Sequence, residues 1–288
     1  MCFYFTLVVI YNIILVVVKS MRSILEVRKL MFDYNDKLLF NNLSFEISSG
    51  SFSTIFGINS SGKTTLAKLL IGQLDNNRTV LFDDFYVTSF NLKRIRRDVG
   101  FICENVCDSF ISKTVSEEIA LPLLNLNYSK DEILKKVNSI VYELKIRKLL
   151  SKKVDDIAYE DKWLVSLASV LIYAPKLLII DGGFDCLSPL NKEKVLKTLK
   201  KYVEKGMTVV NLTSNIEECL YGEKIIMIDK KTALSFDNKE DFFSDLDFFE
   251  KRNIELPFIV TLTNKLKFYD LIHDTFFYDE DLVNYLWE

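Results

Sequence analysis

The chain has 288 residues, 49% of them hydrophobic and 27% charged, with a net charge of -3 at pH 7. That length holds one large α/β domain or two small ones, the balance is an ordinary globular one, and the mild acidity argues against a nucleic-acid binder. Five cysteines include no C-x-x-C pair, which disfavours a zinc site or a disulfide framework, and the lone His273 reads as structural or solvated.

Cys2 to Val18 is nearly all apolar and is followed by Lys19, Arg22, Arg28 and Lys29. Such a run is at the lower edge of a membrane span, and the trailing basic residues would keep the remainder cytoplasmic. It lacks the basic n-region and small-residue cleavage site of a secretory signal. Two readings stay open: a hydrophobic anchor over residues 2–18, or an upstream extension with the natural start at Met21 or Met31. The short length favours the extension.

From Ile24 the pattern becomes α/β. Ile24–Val27 and Leu43–Ile47 read as strands by alternation and β-branching. Ser49-Gly50 turns the chain into a short buried-looking strand, Phe52 to Phe56. A glycine-bounded loop follows, then a helix from Lys63 to Ile71, closed at Gly72, and a further strand at Val80–Phe82. Residues 114–150 are helical in pattern, with Ile119, Leu123, Ile133, Val137, Ile140, Val141 and Leu144 at helical spacings, and Pro122 is expected to break them into separate helices. Leu177–Ile180 is a continuous apolar run, the mark of a parallel strand covered on both faces. An amphipathic helix is expected over Lys192–Lys205, ended by Gly206. Thr208–Leu212 and Lys224–Ile228 complete the strands. Strands alternating with helices give an α/β class with a mostly parallel sheet and an inserted helical piece.

Gly57-Ile58-Asn59-Ser60-Ser61-Gly62-Lys63-Thr64 fits G-x-x-x-x-G-K-[ST], with a strand before it and a helix after it. In such a loop the glycines let backbone N–H groups point at phosphate oxygens, and the helix N-terminus adds favourable partial charge. Lys63 would reach the β- and γ-phosphates, and the Thr64 hydroxyl would ligate Mg²⁺. Asp181, directly after the apolar strand, stands where parallel sheets put ligand-binding groups and would hold the metal shell.

Further segments resemble the ABC ATPases among P-loop proteins. Tyr34, in Phe32-Asp33-Tyr34, sits where that family places the aromatic that stacks on adenine. Val99-Gly100-Phe101-Ile102-Cys103-Glu104-Asn105 looks like the Q-loop, with Glu104 in place of glutamine. Ile157-Ala158-Tyr159-Glu160-Asp161 begins 24 residues before Asp181, the offset of the signature L-S-G-G-Q. Pro175-Lys176, Asp185-Cys186-Leu187-Ser188-Pro189 and Thr213-Ser214 fall at the family's Pro-Lys pair, D-loop and switch threonine-histidine. Glu104–Asn125 and Phe248–Lys267, and even Asp279–Leu286, are similar to segments of the energy-coupling factor (cobalt and vitamin importer) ATPases. The resemblance runs from Met21 to the end and implies ATP and Mg²⁺ as cofactors. The nucleotide would be held by Tyr34, Gly57, Asn59, Ser60, Ser61, Gly62, Lys63, Thr64 and Thr65, and the metal by Thr64, Asp181 and Glu104.

The departures from the family bear on hydrolysis. Gly182 stands where the family has its catalytic glutamate, and loss of a general base typically costs ~10²–10⁴ in rate. Ser214 replaces the histidine that contacts the γ-phosphate, Glu104 would bring negative charge toward it, and Ser188 removes the D-loop carboxylate. In the signature, Ala158 lacks the hydroxyl, Tyr159 adds bulk, and Glu160 and Asp161 add carboxylates at a helix start. Acids there stabilise the helix by ~1 kcal/mol or less, whereas like charges at ~4 Å repel by about 4 kcal/mol at an effective dielectric of 20. A partner's nucleotide is therefore expected to bind poorly against this signature.

The resulting expectation is a P-loop NTPase of the ABC type. Residues 21–245 would form the ATPase domain with a helical subdomain at about 105–163, and residues 246–288 a small C-terminal helical extension. It would be the ATP-binding subunit of an energy-coupling factor-like importer, peripheral on the cytoplasmic face of the cell membrane, with weak hydrolysis in its own site. Expected partners are a second ABC ATPase subunit in a homo- or heterodimer, a transmembrane coupling subunit and a substrate-binding membrane subunit, but no nucleic acid. The alternative is a non-hydrolysing nucleotide-binding or assembly subunit partnered with an intact ATPase.

Overall fold

The computed structural model describes residues 22–35 and 37–287, so the apolar run at 2–18 and the alternative start at Met21 lie outside the described residues. The strands are β1 (Ser23–Tyr34), β2 (Lys37–Ser48), β3 (Phe52–Phe56), β4 (Val80–Phe82), β5 (Phe85–Tyr86), β6 (Val99–Ile102), β7 (Leu177–Asp181), β8 (Thr208–Thr213), β9 (Lys224–Asp229) and β10 (Thr232–Phe236). The helices are α1 (Lys63–Leu70), α2 (Leu92–Asp98), α3 (Val115–Asn125), α4 (Lys130–Glu143), α5 (Tyr159–Leu171), α6 (Pro189–Glu204), α7 (Lys239–Phe242), α8 (Leu246–Glu250), α9 (Phe258–Phe268) and α10 (Asp279–Trp287).

Two sheets result. One is antiparallel, in the order β2-β1-β4-β5. The other runs β10-β9-β3-β8-β7-β6 and is parallel except for β10, which pairs antiparallel with β9. β3 and β7 are buried at every position, as expected for strands covered on both faces. Successive side chains point to opposite faces, so β7 serves two cores at once. Leu178 and Ile180 pack with α3, α4 and α5, while Leu177 and Ile179 pack toward α1 and the antiparallel sheet. A third cluster joins Phe56, Ile225 and Met227 to Phe242, Phe249 and Val260 of the C-terminal helices.

Pro122 does not break the helical stretch. α3 runs through it, and the chain leaves the helix only at Leu126–Asn127, where Asn127 takes a φ of 60°. Val115, Ile119 and Leu123 are fully buried in the core beneath this helix, and that burial outweighs one missing backbone hydrogen bond. The helices on either side of the turn begin with capping boxes, Thr114 with Glu117 and Ser129 with Glu132. α6 starts at Pro189 rather than Lys192, because proline fits the first helical position and Ser188 precedes it as N-cap.

The topology gathers loops at one edge. β3, β6, β7 and β8 run parallel, with Phe56 beside Thr213, Asp181 beside Leu212, and Ile102 beside Ile180. The residues that follow these strand ends share the carboxyl edge of the sheet, where α/β folds bind ligands.

Candidate functional site

From Phe56 the chain wraps through Gly57–Gly62 and enters α1 at Lys63. Two residues of the loop are left-handed, Ser60 (φ 65°) and Gly62 (φ 98°). Gly62 is required on two counts, since a Cβ there would also stand 2.8 Å from the Phe40 ring. A Cβ on Gly57 would meet the Ser61 hydroxyl at 2.4 Å, so glycine lets Ser61 fold beneath the loop, where its Oγ is buried without a partner. Lys63 Nζ donates to the carbonyls of Gly57 (2.8 Å) and Ile58 (3.1 Å). Burial pushes its pKa down, against the pull of Asp181 and Glu104. α1 has no side-chain cap and no acid in its first turn, so its first N–H groups have no side-chain acceptor.

Asp181 ends β7 and is 2% exposed. Its Oδ1 accepts from the Thr64 hydroxyl at 3.3 Å, and its Oδ2 is buried with no partner. Burial pushes its pKa up to about 6, with the Glu104 charge adding to the rise and the Thr64 bond and Lys63 opposing it. An unpartnered carboxylate oxygen, a hydroxyl and the exposed Glu104 carboxylate together form a hard-oxygen set of the type that suits Mg²⁺. Among the described residues no group of three or more His, Cys, Asp or Glu could hold a metal, so an ion here would take its remaining ligands from water and phosphate.

These groups face a cleft of about 560 Å³. Of the residues expected from sequence, Tyr34, Asn59, Ser60, Gly62, Lys63, Thr64, Thr65, Glu104, Asp181, Gly182 and Ser214 line it, while Gly57 and Ser61 do not. Tyr34 stands at the cleft, 48% exposed, edge-to-face with Phe32 at 4.9 Å. Sequence reasoning missed Leu39, Trp163 and Gly183 as lining residues. Trp163 had a signal: it lies four residues after Tyr159, on the same face of α5.

Gly182 has a φ of 95°, and a Cβ there would be 3.1 Å from the Glu104 Cα. The signature-position side chains turn onto their own chain. The Tyr159 hydroxyl donates to the Glu104 carbonyl at 2.7 Å. Glu160 and Asp161 are expected from sequence to stabilise their own helix start, and both lie in the first turn of α5, but the Glu160 carboxylate is bonded to the start of α6 instead. Its Oε1 accepts from the Ser188 amide (2.7 Å), the Ser188 hydroxyl (2.6 Å) and Asn191 Nδ2 (2.7 Å) at the start of α6. These bonds hold its pKa below the usual range. Three donors converge there because an N-cap amide and two polar side chains at a neighbouring helix start offer more than a solvated first turn. Cys186, also on the cleft, has its thiol pushed up to about 11 by burial.

Residues 40–184 match the family model described as ABC transporter. The chain is 31% identical over 228 residues to the energy-coupling factor transporter ATP-binding protein EcfA1 of Mycoplasmopsis synoviae, covering 78% of this chain and 86% of that one. To the EcfA1 of Lactobacillus gasseri it is 29% identical over 251 residues, covering 85% and 88%. Among solved structures, cbiO1 of Clostridium perfringens, part of the ABC transporter complex cbiONQ, superposes with a TM-score of 0.70 at 25% identity, covering 84% of this chain and 99% of that one. A dimeric ATP-binding cassette bound to ADP and Pi shares the fold with a TM-score of 0.67 at 23% identity, covering 74% and 97%.

Proposed function

Taking as premise that this chain belongs to the ABC transporter ATP-binding family, on its energy-coupling factor branch, we propose that it is the nucleotide-binding subunit of an importer of that kind. Mg-ATP would lie in the cleft, its phosphates on the Gly57–Thr65 loop and its metal on Thr64, Asp181 and Glu104. The observation that carries this reading is the buried, unpartnered Oδ2 of Asp181 beside the Thr64 hydroxyl. A dry carboxylate oxygen without a partner is unfavourable when ionised, which is why burial raises the Asp181 pKa, and a bound cation would relieve that cost.

Hydrolysis in this site would be weak. Gly182 offers no base for water and Ser214 no imidazole. Its own chain already occupies the Tyr159 and Glu160 side chains, which favours the narrower reading of a subunit that binds nucleotide beside a more intact ATPase. The partners would be a second ABC ATPase, the same chain or another, a transmembrane coupling subunit and a substrate-binding membrane subunit. The chain would then lie at the cytoplasmic face of the membrane; among the described residues no helix is long and apolar enough to cross one. Residues 21–245 would form the ATPase domain, with a helical subdomain at about 105–163, the groove around Glu104–Ala120 receiving the membrane partner, and 246–288 as an added helical piece.

Equilibrium binding of labelled ATP to the purified chain, with and without Mg²⁺, tests the reading. Saturable, magnesium-dependent binding that Lys63→Ala weakens about 10- to 100-fold is expected. No such binding, or binding indifferent to Lys63, would overturn it.

A further inference from the structure

Glu218 lies on the 3-10 turn Ile216–Leu220 that follows the switch position and is fully buried, at 0% exposed. Its Oε1 accepts from the Phe184 amide at 2.9 Å, its Oε2 accepts from Asn211 Nδ2 at 2.7 Å, and Lys192 Nζ stands 3.8 Å from Oε1. Gly183 packs directly on this carboxylate: its φ is 62°, and a Cβ there would be 2.4 Å from Oε2. Bulk at 183 is excluded because the acid fills the space.

The two segments that Glu218 joins are both walls of the cleft, namely Gly182, Gly183 and Asp185 on one side and Ser214 on the other. Further ties reinforce the link. Asn215 Nδ2 donates to Asp185 Oδ1 at 2.8 Å, and the Gly182 amide donates to the Leu212 carbonyl at 3.1 Å. Neither Gly182 nor Ser214 has a side chain large enough to fix its loop from the cleft side, so the backbone there is held from behind. A buried carboxylate with charge-assisted partners is suited to this, because losing it strands a buried N–H and a buried amide together.

We propose that Glu218 is a positioning residue that ties the Gly182–Asp185 loop to the Ser214–Asn215 turn and so sets the backbone wall that meets the terminal phosphate of ATP. This rests on the reading that the cleft takes Mg-ATP. Glu218 does not touch the nucleotide; it acts through the Phe184 amide and Asn211.

Calorimetric titration of the full chain with Mg-ATP and with Mg-ADP, alongside melting temperatures, tests it. Glu218→Ala is expected to weaken Mg-ATP binding about 10-fold or more and to leave Mg-ADP within about 2-fold, the loss of one buried charge-assisted link felt only by the terminal phosphate. Glu218→Gln, which keeps an oxygen for the Phe184 amide while Asn211 can rotate its own amide, is expected to recover most of the difference. Affinities for ATP and ADP that fall together, or that follow the melting temperature across both variants, would make Glu218 a structural prop and overturn the proposal. Unchanged affinities would overturn it too. If Glu218→Ala does not fold, Asn211→Ala replaces it: a narrowed ATP-to-ADP preference supports the proposal, and a wild-type preference overturns it. If the wild-type chain binds neither nucleotide, the reading of the cleft itself has failed.

Discussion

A Cβ placed on Gly182 would stand 3.0 Å from Cγ, 3.1 Å from Cα and 3.2 Å from Cβ of Glu104, so the residue that follows Asp181 is pressed against the loop that follows β6. Because Gly182 also has a φ of 95°, any side chain there is strained twice.

Restoring the family's glutamate is therefore expected to fail for more than one reason. Gly182→Glu should lower stability by about 1–3 kcal/mol through backbone strain, before any displacement of Glu104 is counted. It should add little phosphate release, because Ser214 still offers no imidazole. A malachite-green assay together with a melting curve checks both. A large gain in turnover from this single change would show that the loop relaxes freely.

Removing the Lys63 ammonium should weaken Mg-ATP binding about 10- to 100-fold, the range for losing charge-assisted hydrogen bonds. In the free protein that ammonium donates to the Gly57 and Ile58 carbonyls, but burial penalises its charge, so Lys63→Ala should change stability less than it changes affinity. Titration calorimetry and a thermal scan on the same sample separate binding from folding.

Asp181 gives a pH prediction with a definite sign. Its folded pKa of about 6 lies above its ordinary 3.8, so the folded state favours the protonated carboxyl. That contribution to stability is fully present below about pH 3.8 and is lost as pH rises through about 6, a loss of about 3 kcal/mol by pH 7. Asp181→Asn, neutral throughout, should then be more stable than wild type at pH 7 by up to about 3 kcal/mol, the gap narrowing to about 1 kcal/mol at about pH 4.5 and closing below about pH 3.8. It should also lose the magnesium requirement for nucleotide binding. Urea unfolding at the two pH values, without nucleotide, reads the first effect.

The signature segment yields a prediction with two readouts. Ala158→Ser, Tyr159→Gly and Glu160→Gly together should raise ATP turnover in a complex reconstituted with an intact partner, because one of the two carboxylates and a bulky ring leave the partner-facing helix start, and a serine hydroxyl is added. The same change removes the acceptor of the Ser188 and Asn191 bonds and should lower the melting temperature of the isolated chain, by about 1–3 kcal/mol in stability. No rise in turnover would count against the reading that this signature segment weakens the partner's nucleotide site.

What the sequence determined by itself was local. The phosphate loop reads directly from its glycines and from Lys63 and Thr64, because backbone approach to phosphate allows few alternatives. β3 and β7 read from continuous apolar runs, because a strand buried on both faces has no polar side. The vacancies at Gly182 and Ser214 are equally legible, since an absent side chain needs no geometry to be recognised. Only the tertiary structure decided where the remaining polar groups go. Pro122 stays inside α3 because burial elsewhere on that helix outweighs its missing hydrogen bond. Glu160 reaches α6, Tyr159 reaches the Glu104 carbonyl, and Glu218 lies behind Gly183; each of these pairings spans 28 to 55 residues of chain. Side-chain contacts at such separations arise from how the sheet orders its strands and what packs upon it, and no local pattern of residues encodes that.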